Sequence, residues 1–236
     1  IDYDDPAGTR FDLPGRHPGY ATPTPGRAFV TVMEGCDLFC SYCVVPRTRG
    51  REVSRPSARI VEEIRTLAAA GTSEVTLLGQ TVNAYGRARP GQVEGELAFA
   101  DLIRRVAEIP GIRRIRFTSP HPRFVTPDLI RAFAEVPELC PHLHLPVQSG
   151  SSRVLEAMSR RYDRETYLDV IDRVRKARPG IAITTDLIVG YPTETEADFE
   201  QTLTLMNEVR FTDSYSFKYS ERPGTPAQRH RLGELD

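Results

Sequence analysis

Apolar positions along this chain follow two alternating rhythms. Period-two stretches at Ala28–Met33, Ser73–Leu78, Arg113–Thr118, His142–Pro146, Ile181–Val189 and Ser214–Tyr219 predict strands. Between them the spacing turns helical. Ile60, Ile64 and Leu67 share one helix face, with Ser57 as the N-cap and Gly71 as the stop. Phe99, Leu102, Ile103 and Val106 mark a second helix ending at Pro110–Gly111. Thr126–Pro127, a cap followed by an N1 proline, opens a third that buries Leu129, Ile130 and Phe133. Tyr167, Val170, Ile171 and Val174 form a fourth before Pro179–Gly180. The last begins at Thr195, with Asp198 three residues later, and presents Phe199, Leu203 and Met206.

Strands that alternate with helices pair in parallel through right-handed crossovers. About six such units predict an α/β fold, a partial (βα)6 TIM-like barrel related to the eight-stranded one. The strands also carry a polar side. Arg114, Arg116 and Thr118 oppose Ile115 and Phe117; His142 and His144 oppose Leu143 and Leu145; Ser214, Ser216 and Lys218 oppose Tyr215, Phe217 and Tyr219. A packed closed barrel is apolar on both faces, so this alternation predicts an open barrel with a wet, polar lumen. An ordinary half-exposed sheet would show the same pattern. Residues 1–26, rich in Pro, Gly, Thr and Arg, read as a linker, with packing expected at most from Phe11 or Tyr20. Residues 27–223 read as the barrel domain and 224–236 as a second linker.

Composition changes this picture little. The chain has 236 residues and a formal net charge of −1, so no global basic field announces a nucleic-acid partner. No apolar run is long enough to span a bilayer. The first residue is Ile1 rather than Met, which reads as a piece of a longer protein. The 4 cysteines, without secretory features, point to the reducing cytosol and to metal binding.

Three of these cysteines form the informative motif, Cys36-Asp-Leu-Phe-Cys40-Ser-Tyr-Cys43, directly after the first strand. Thiolates spaced four and three apart can hold three irons of a [4Fe–4S] cube from one loop. No fourth cysteine is close in sequence, and the iron left open is a coordination site, as an open zinc position is. A structural zinc site would need Cys140 or a histidine as its fourth ligand; Cys140 reads as a buried thiol. His121, His142 and His144 read as structural rather than metal-binding. Neither a Ser/His/Asp nucleophile set nor a phosphate-cradling Gly-rich loop stands out.

The cysteine spacing resembles the signature of the radical S-adenosylmethionine (SAM) superfamily. The resemblance implies that SAM chelates the open iron and is cleaved there to a 5′-deoxyadenosyl radical, which takes hydrogen from the substrate. The run Val44-Val45-Pro46-Arg47-Thr48-Arg49-Gly50-Arg51-Glu52-Val53-Ser54-Arg55-Pro56 is similar to one branch, the methylthiotransferases. So are Leu77-Leu78-Gly79-Gln80-Thr81-Val82-Asn83-Ala84-Tyr85-Gly86, Phe117 to Pro122, His142 to Ser151, Asp186 to Pro192 and Ser216 to Pro226. Val82-Asn83-Ala84-Tyr85 most resembles the enzymes acting on isopentenyladenosine beside the tRNA anticodon. Thr81 stands where those carry Asn. Enzymes that modify a ribosomal-protein aspartate or threonylcarbamoyladenosine in tRNA are the alternatives, and a zinc-stabilised RNA-binding module is the alternative of another class.

Carried onto matching positions, the resemblance implies cofactor contacts at Tyr42, Gln80, Asn83, Ser119, Gln148 and Arg160, with Asp186 near the reacting centre. Each position also has a plainer reading: packing for Tyr42, loop hydrogen bonding for Gln80, Ser119 and Gln148, and a helix-surface charge for Arg160. Arg47, Arg49, Arg51 and Arg55 make a basic loop suited to RNA phosphates, or to surface ion pairs and neutralisation of the cluster. The implied partners are a tRNA anticodon stem-loop and a reducing electron donor such as flavodoxin or ferredoxin, and the implied protein is a cytoplasmic monomer with no membrane contact. The family also carries an N-terminal domain with a second [4Fe–4S] cluster and a small C-terminal RNA-binding β-domain. Neither is present here, so this stretch alone is expected to hold one cluster and SAM without completing methylthiolation.

Overall fold

The computed structural model describes residues 26–87 and 96–231. The linker expected over 1–26 lies outside the described residues except for Gly26, as does the tail of the second linker from residue 232.

The six expected strands are present as β1 (Arg27–Thr31), β4 (Glu74–Leu78), β5 (Arg114–Phe117), β6 (His142–His144), β7 (Ala182–Val189) and β8 (Asp213–Lys218). A short antiparallel ribbon, β2 (Met33–Glu34) with β3 (Val53–Ser54), brackets the cysteine loop; Met33 belongs to it and not to the first strand. The order β1-β4-β5 and β6-β7-β8 is parallel throughout. Residues 138–140 link the halves: Ile115 donates to the Glu138 carbonyl (2.8 Å) and Cys140 to that of Ile115 (3.1 Å). The result is the expected six-unit open barrel.

Helices α2 (Ser57–Ala69), α3 (Phe99–Ala107), α4 (Pro127–Glu135) and α6 (Arg164–Ala177) pack in that order around the outside. Short helices α1 (Val45–Thr48) and α5 (Ser152–Ala157) follow strand ends, and α7 (Glu196–Val209) precedes β8. The core lies between the helices and the outer sheet face, where Val30, Leu77, Ile115, Leu143 and Ile183 meet Ile60, Ile64, Leu102, Ile103 and Phe133. Removing one such side chain, as in Ile115→Ala, costs about 2–5 kcal/mol.

Local signals explain the ends. Thr126 accepts from the Leu129 amide at 3.2 Å, and Thr195 with Asp198 forms a complete capping box. Three expectations change. Ser57 is the first helical residue rather than the cap, and the Glu96 carboxylate does the capping by accepting from the Ser57 amide (2.6 Å) and hydroxyl (2.8 Å). On α7 the packed stripe is Asp198, Thr202, Leu205 and Val209, and Leu203 is exposed. Thr202 faces inward because its hydroxyl accepts from the Gly150 amide at 2.9 Å. Finally, the second linker is structured over its first half. Pro226–Arg231 form helix α8, Ala227 is fully buried, and its amide donates to the Ser41 carbonyl at 2.9 Å.

Strand register assigns the lumen-facing side chains. Paired residues of a parallel sheet share a face. Phe29, Thr76 and Arg116 thus face inward on one half, and His144, Thr184, Asp186 and Tyr215 on the other. The polar lumen is present on β5, β6 and β7. On β8 the expected polarity is inverted: Tyr215 and Phe217 face the lumen, while Ser214, Ser216 and Lys218 face out.

Candidate active site

The three cysteines sit at the C-terminal ends of the strands, the face on which barrel enzymes build their sites. The loop needs two left-handed residues. Gly35 (φ +75°) is one, and a Cβ there would lie 2.1 Å from the Arg51 carbonyl oxygen. Phe39 (φ 51°) is the other, a strained choice whose ring is 55% exposed. Fixed anchors hold the loop to the barrel. The Gln80 Oε1 accepts from the Gly35 amide (2.6 Å), and the Cys36 amide donates to the Gly50 carbonyl (3.2 Å). Ser41 donates from its amide to the Met158 carbonyl (3.0 Å) and from its hydroxyl to that of Ala157 (2.9 Å).

Each sulfur has its own neighbour. The Cys36 Sγ lies 3.1 Å from the Thr81 hydroxyl, the Cys40 Sγ accepts from Arg160 Nη1 at 3.5 Å, and the Cys43 Sγ accepts from the Val45 amide at 3.5 Å. Burial pushes the Cys36 and Cys43 thiols above their ordinary range, and neighbouring cysteines add to the rise. The thiols are therefore close enough to feel one another. Yet among the described residues no three His, Cys, Asp or Glu side chains converge on a single metal-ion position. Three thiolates offered from one short loop suit a cube whose irons are bound separately. Cys140 cannot complete a zinc site with them. It lies at the opposite end of the strands, bonded to Ile115 and close to Arg116 and Glu74.

Arg160 is the electrostatic partner of the loop. It is 5% exposed and donates to Cys40 Sγ, to Tyr42 Oη (3.3 Å), to Tyr162 Oη (3.0 Å) and to the Pro146 carbonyl (2.9 Å). These contacts use four of its five N–H donors, so at most one remains for a ligand. The surface-charge reading is overturned for this residue. The Tyr42 hydroxyl is pushed up by burial and pulled down by Arg160. Its ring packs against both the cysteine cluster and a second cluster of Val154, Met158 and Tyr191.

The remaining expected positions ring the same face. Asn83 spends its amide on one backbone residue, donating to the His121 carbonyl (2.9 Å) and accepting from the His121 amide (2.8 Å). It positions the 119–124 turn. Ser119 and Gln148 both take left-handed backbone, φ 57° and 77°, and Gln148 bridges to β7 by accepting from the Ile188 amide at 2.8 Å. Asp186 faces the lumen, its Oδ2 3.4 Å from His144 Nε2. His121 is buried, and burial with Arg160 nearby lowers it to about 2, so it is neutral. Its Nδ1 accepts from the Arg123 amide at 3.3 Å, which puts the proton on a buried Nε2 with no hydrogen-bond acceptor among the described residues.

The basic loop divides. Arg55 is partly buried and binds Glu63 and the Thr31 carbonyl, the ion-pair arrangement that the sequence left open for this loop. Arg51 pairs with Asp37 at 2.9 Å. Arg47 and Arg49 are exposed, Arg47 lying so close over Gly224 that a Cβ there would meet its guanidinium at 2.2 Å. Residues with no site role assigned from sequence complete the site: Thr81 at Cys36, Tyr162 at Arg160, Tyr191 at Ser41, and His144 at Asp186. The Thr81 position was visible as a departure from the resembled pattern, without its role.

Comparison with known proteins follows this geometry. The family model described as the radical SAM superfamily matches residues 30–206. The chain is 58% identical over 199 residues to the tRNA-2-methylthio-N(6)-dimethylallyladenosine synthase of Geobacter sulfurreducens, covering 84% of this chain and 44% of that protein. It is 51% identical over 218 residues to the protein of the same name from Oleidesulfovibrio alaskensis, covering 92% and 46%. It thus spans less than half the length of these relatives. Among solved structures, the radical SAM methyltransferase TsrM from Kitasatospora setae, with cobalamin and a [4Fe-4S] cluster bound, superposes with a TM-score of 0.68 at 18% identity, covering 86% of this chain and 36% of that one. Streptococcus suis SuiB bound to S-adenosylmethionine gives a TM-score of 0.58 at 15% identity, covering 89% and 46%.

Proposed function

The chain belongs to the radical SAM superfamily, and from that premise we propose that it is the SAM-cleaving core of a tRNA methylthiotransferase acting at an N6-dimethylallyladenosine. Cys36, Cys40 and Cys43 are the residues that would hold a [4Fe–4S] cluster, and the open iron would take SAM. When bound, the pair supplies a carbon-centred radical able to remove hydrogen from an unreactive C–H bond.

The observation that carries the reading is the donor set. Three thiols lie on one pinned loop, Cys36 and Cys40 buried and Cys43 partly so, and among the described residues no other His, Cys, Asp or Glu side chain joins them in a metal-ion site. Around them the chain's own groups have separable tasks. Gln80 and Gly35 fix the loop entrance, Ser41 its middle, and Arg160 its charge. Tyr42 offers a half-buried ring beside the sulfurs, suited to flank an adenine. Gln148 and Ser119 present side chains from left-handed corners at the strand ends, and Asp186 with His144 supplies a polar pair within the lumen. Arg47 and Arg49 are the arginines available to RNA phosphates. The tRNA substrate read here supports a cytoplasmic setting, with flavodoxin or ferredoxin as the class of electron donor. A second cluster, the sulfur source, would be carried by the part of the protein outside this stretch.

The test is anaerobic reconstitution with iron and sulfide, then dithionite, SAM and an anticodon stem-loop bearing N6-dimethylallyladenosine. Release of 5′-deoxyadenosine, lost when any of the three cysteines becomes alanine, is expected. Release that persists in the Cys40→Ala protein would overturn the assignment.

A further inference from the structure

The inner face of β8 is aromatic where the rest of the lumen is polar. Tyr215 and Phe217 are 54% and 55% exposed, and both point into the barrel. Register with β7 sets Tyr215 beside Asp186 and Phe217 beside Ile188. Ile188 and the cysteine-loop residue Tyr42 pack against the same buried cluster. The aromatic wall therefore adjoins the cofactor side of the lumen and is not part of the outer surface. At its lower edge the Tyr215 ring meets the His144 ring edge to face, with centroids 6.3 Å apart at 70°. His144 in turn contacts the Thr184 hydroxyl (2.9 Å) and Asp186 (3.4 Å).

Two large rings held open in water are unfavourable unless something covers them, and their setting defines the cover. A flat ring could stack on Phe217 and Tyr215, and its polar edge would meet the imidazole and carboxylate. An apolar substituent would lie along the aromatic faces instead of in water. An adenine with an alkenyl group on N6 has these three parts. An unmodified adenine supplies the flat face and the polar edge but no apolar group to cover the second ring.

We propose that Tyr215 and Phe217 form the stacking wall for the N6-substituted adenine, with His144 and Asp186 at its polar edge, so that β8 selects the hypermodified base. This rests on the function proposed above and names the substrate contact within that site. The geometry also explains the inverted polarity of β8: Ser216 and Lys218 take the outward positions because the inward ones serve the base.

Equilibrium dialysis of the 236-residue chain against N6-(dimethylallyl)adenosine and adenosine tests it. The wild type should prefer the substituted nucleoside. Phe217→Ser and Tyr215→Ser should each weaken its binding about tenfold. Tyr215→Phe should retain it, and Lys218→Ser, on the opposite strand face, should match the wild type. SAM binding should not change in the wall variants, which separates this site from misfolding. Wild-type affinity in both serine variants, an equal loss in Lys218→Ser, or no nucleoside binding by the wild type would each overturn the wall, the last pointing to burial of these rings by another part of the protein. Cysteine-dependent 5′-deoxyadenosine release alongside any of these failures would leave the proposed reaction standing.

Discussion

Replacing Arg160 by methionine should make the cluster harder to reduce. The guanidinium is 5% exposed, and its Nη1 is 3.5 Å from Cys40 Sγ, so its charge is poorly screened. A unit charge about 6 Å from the cluster centre stabilises one added electron by on the order of 3 kcal/mol at an effective dielectric constant of about 20. A tenfold change in a one-electron equilibrium corresponds to about 59 mV, so the midpoint should fall by on the order of 100 mV. Arg160→Lys keeps the charge but not the fork, and should recover most of the potential with a weaker fold. Both variants lose hydrogen bonds that Arg160 gives to the Pro146 carbonyl and the Tyr162 hydroxyl, while the Tyr162 hydroxyl keeps its bond to the Val147 carbonyl (2.8 Å). A stability loss of about 1 kcal/mol is therefore expected. The assay is an EPR-monitored redox titration of the reconstituted protein without SAM, which isolates the cluster from any role of Arg160 in cofactor binding. An Arg160→Met midpoint equal to the wild type would refute the electrostatic reasoning.

Other consequences are sharper in sign than in size. Gly35→Ala places a Cβ 2.1 Å from the Arg51 carbonyl at φ +75°, so iron content after reconstitution should drop and the melting temperature should fall. His121 is held neutral when folded, at about 2, whereas an exposed histidine titrates near 6.5. The unfolded chain binds the extra proton, so the contribution of His121 is present above pH ~6.5 and is lost on acidification. It should amount to about 2 kcal/mol by pH ~5. A His121→Phe protein whose stability falls as steeply as the wild type between pH ~7 and pH ~5 would contradict this. Asp198 is lowered chiefly by its bond to Arg153, and then by those from Ser151 and Thr195. Its depressed value means stability present above the normal carboxylate range and lost as pH falls below it. Melts of wild type and Asp198→Asn should therefore converge in acid. Arg49→Ala should weaken stem-loop binding and flatten its salt dependence, whereas Arg55→Ala should lower stability through Glu63; identical RNA binding by the Arg49 variant at all salt concentrations would exclude a phosphate contact.

Much of the architecture was legible because strand and helix rhythms differ and the end signals are chemical. Thr126-Pro127 and the Thr195/Asp198 pair cap their helices by hydrogen bonds that sequence spacing encodes directly. The failures share a cause. Helix α7 carries two stripes at helical spacing, and the packed one includes Asp198 and Thr202, whose partners Ser151 and Gly150 lie 47 and 52 residues away. Strand β8 alternates cleanly, but alternation does not say which face is inside; a polar lumen implies outward aromatics, and here they line the lumen. Ser57 has the chemistry of a cap, yet Glu96 from another segment takes the role. Ribbon β2–β3 has only two residues per strand, too few for any period to register. In the candidate site, the cysteine loop was readable as a cluster-binding candidate from its spacing. Thr81 and His144 were not, because each acquires its role from a partner more than forty residues away, and Tyr162 was not, because its contact with nearby Arg160 belongs to no motif.

The central claim is that Cys36, Cys40 and Cys43 hold a [4Fe–4S] cluster with one iron open to SAM. The most direct measurement is EPR of the anaerobically reconstituted, dithionite-reduced protein with and without SAM. The account predicts a [4Fe–4S]⁺ signal whose shape changes on addition of SAM. Folded protein that assembles no cluster, or a cluster signal indifferent to SAM, would contradict it.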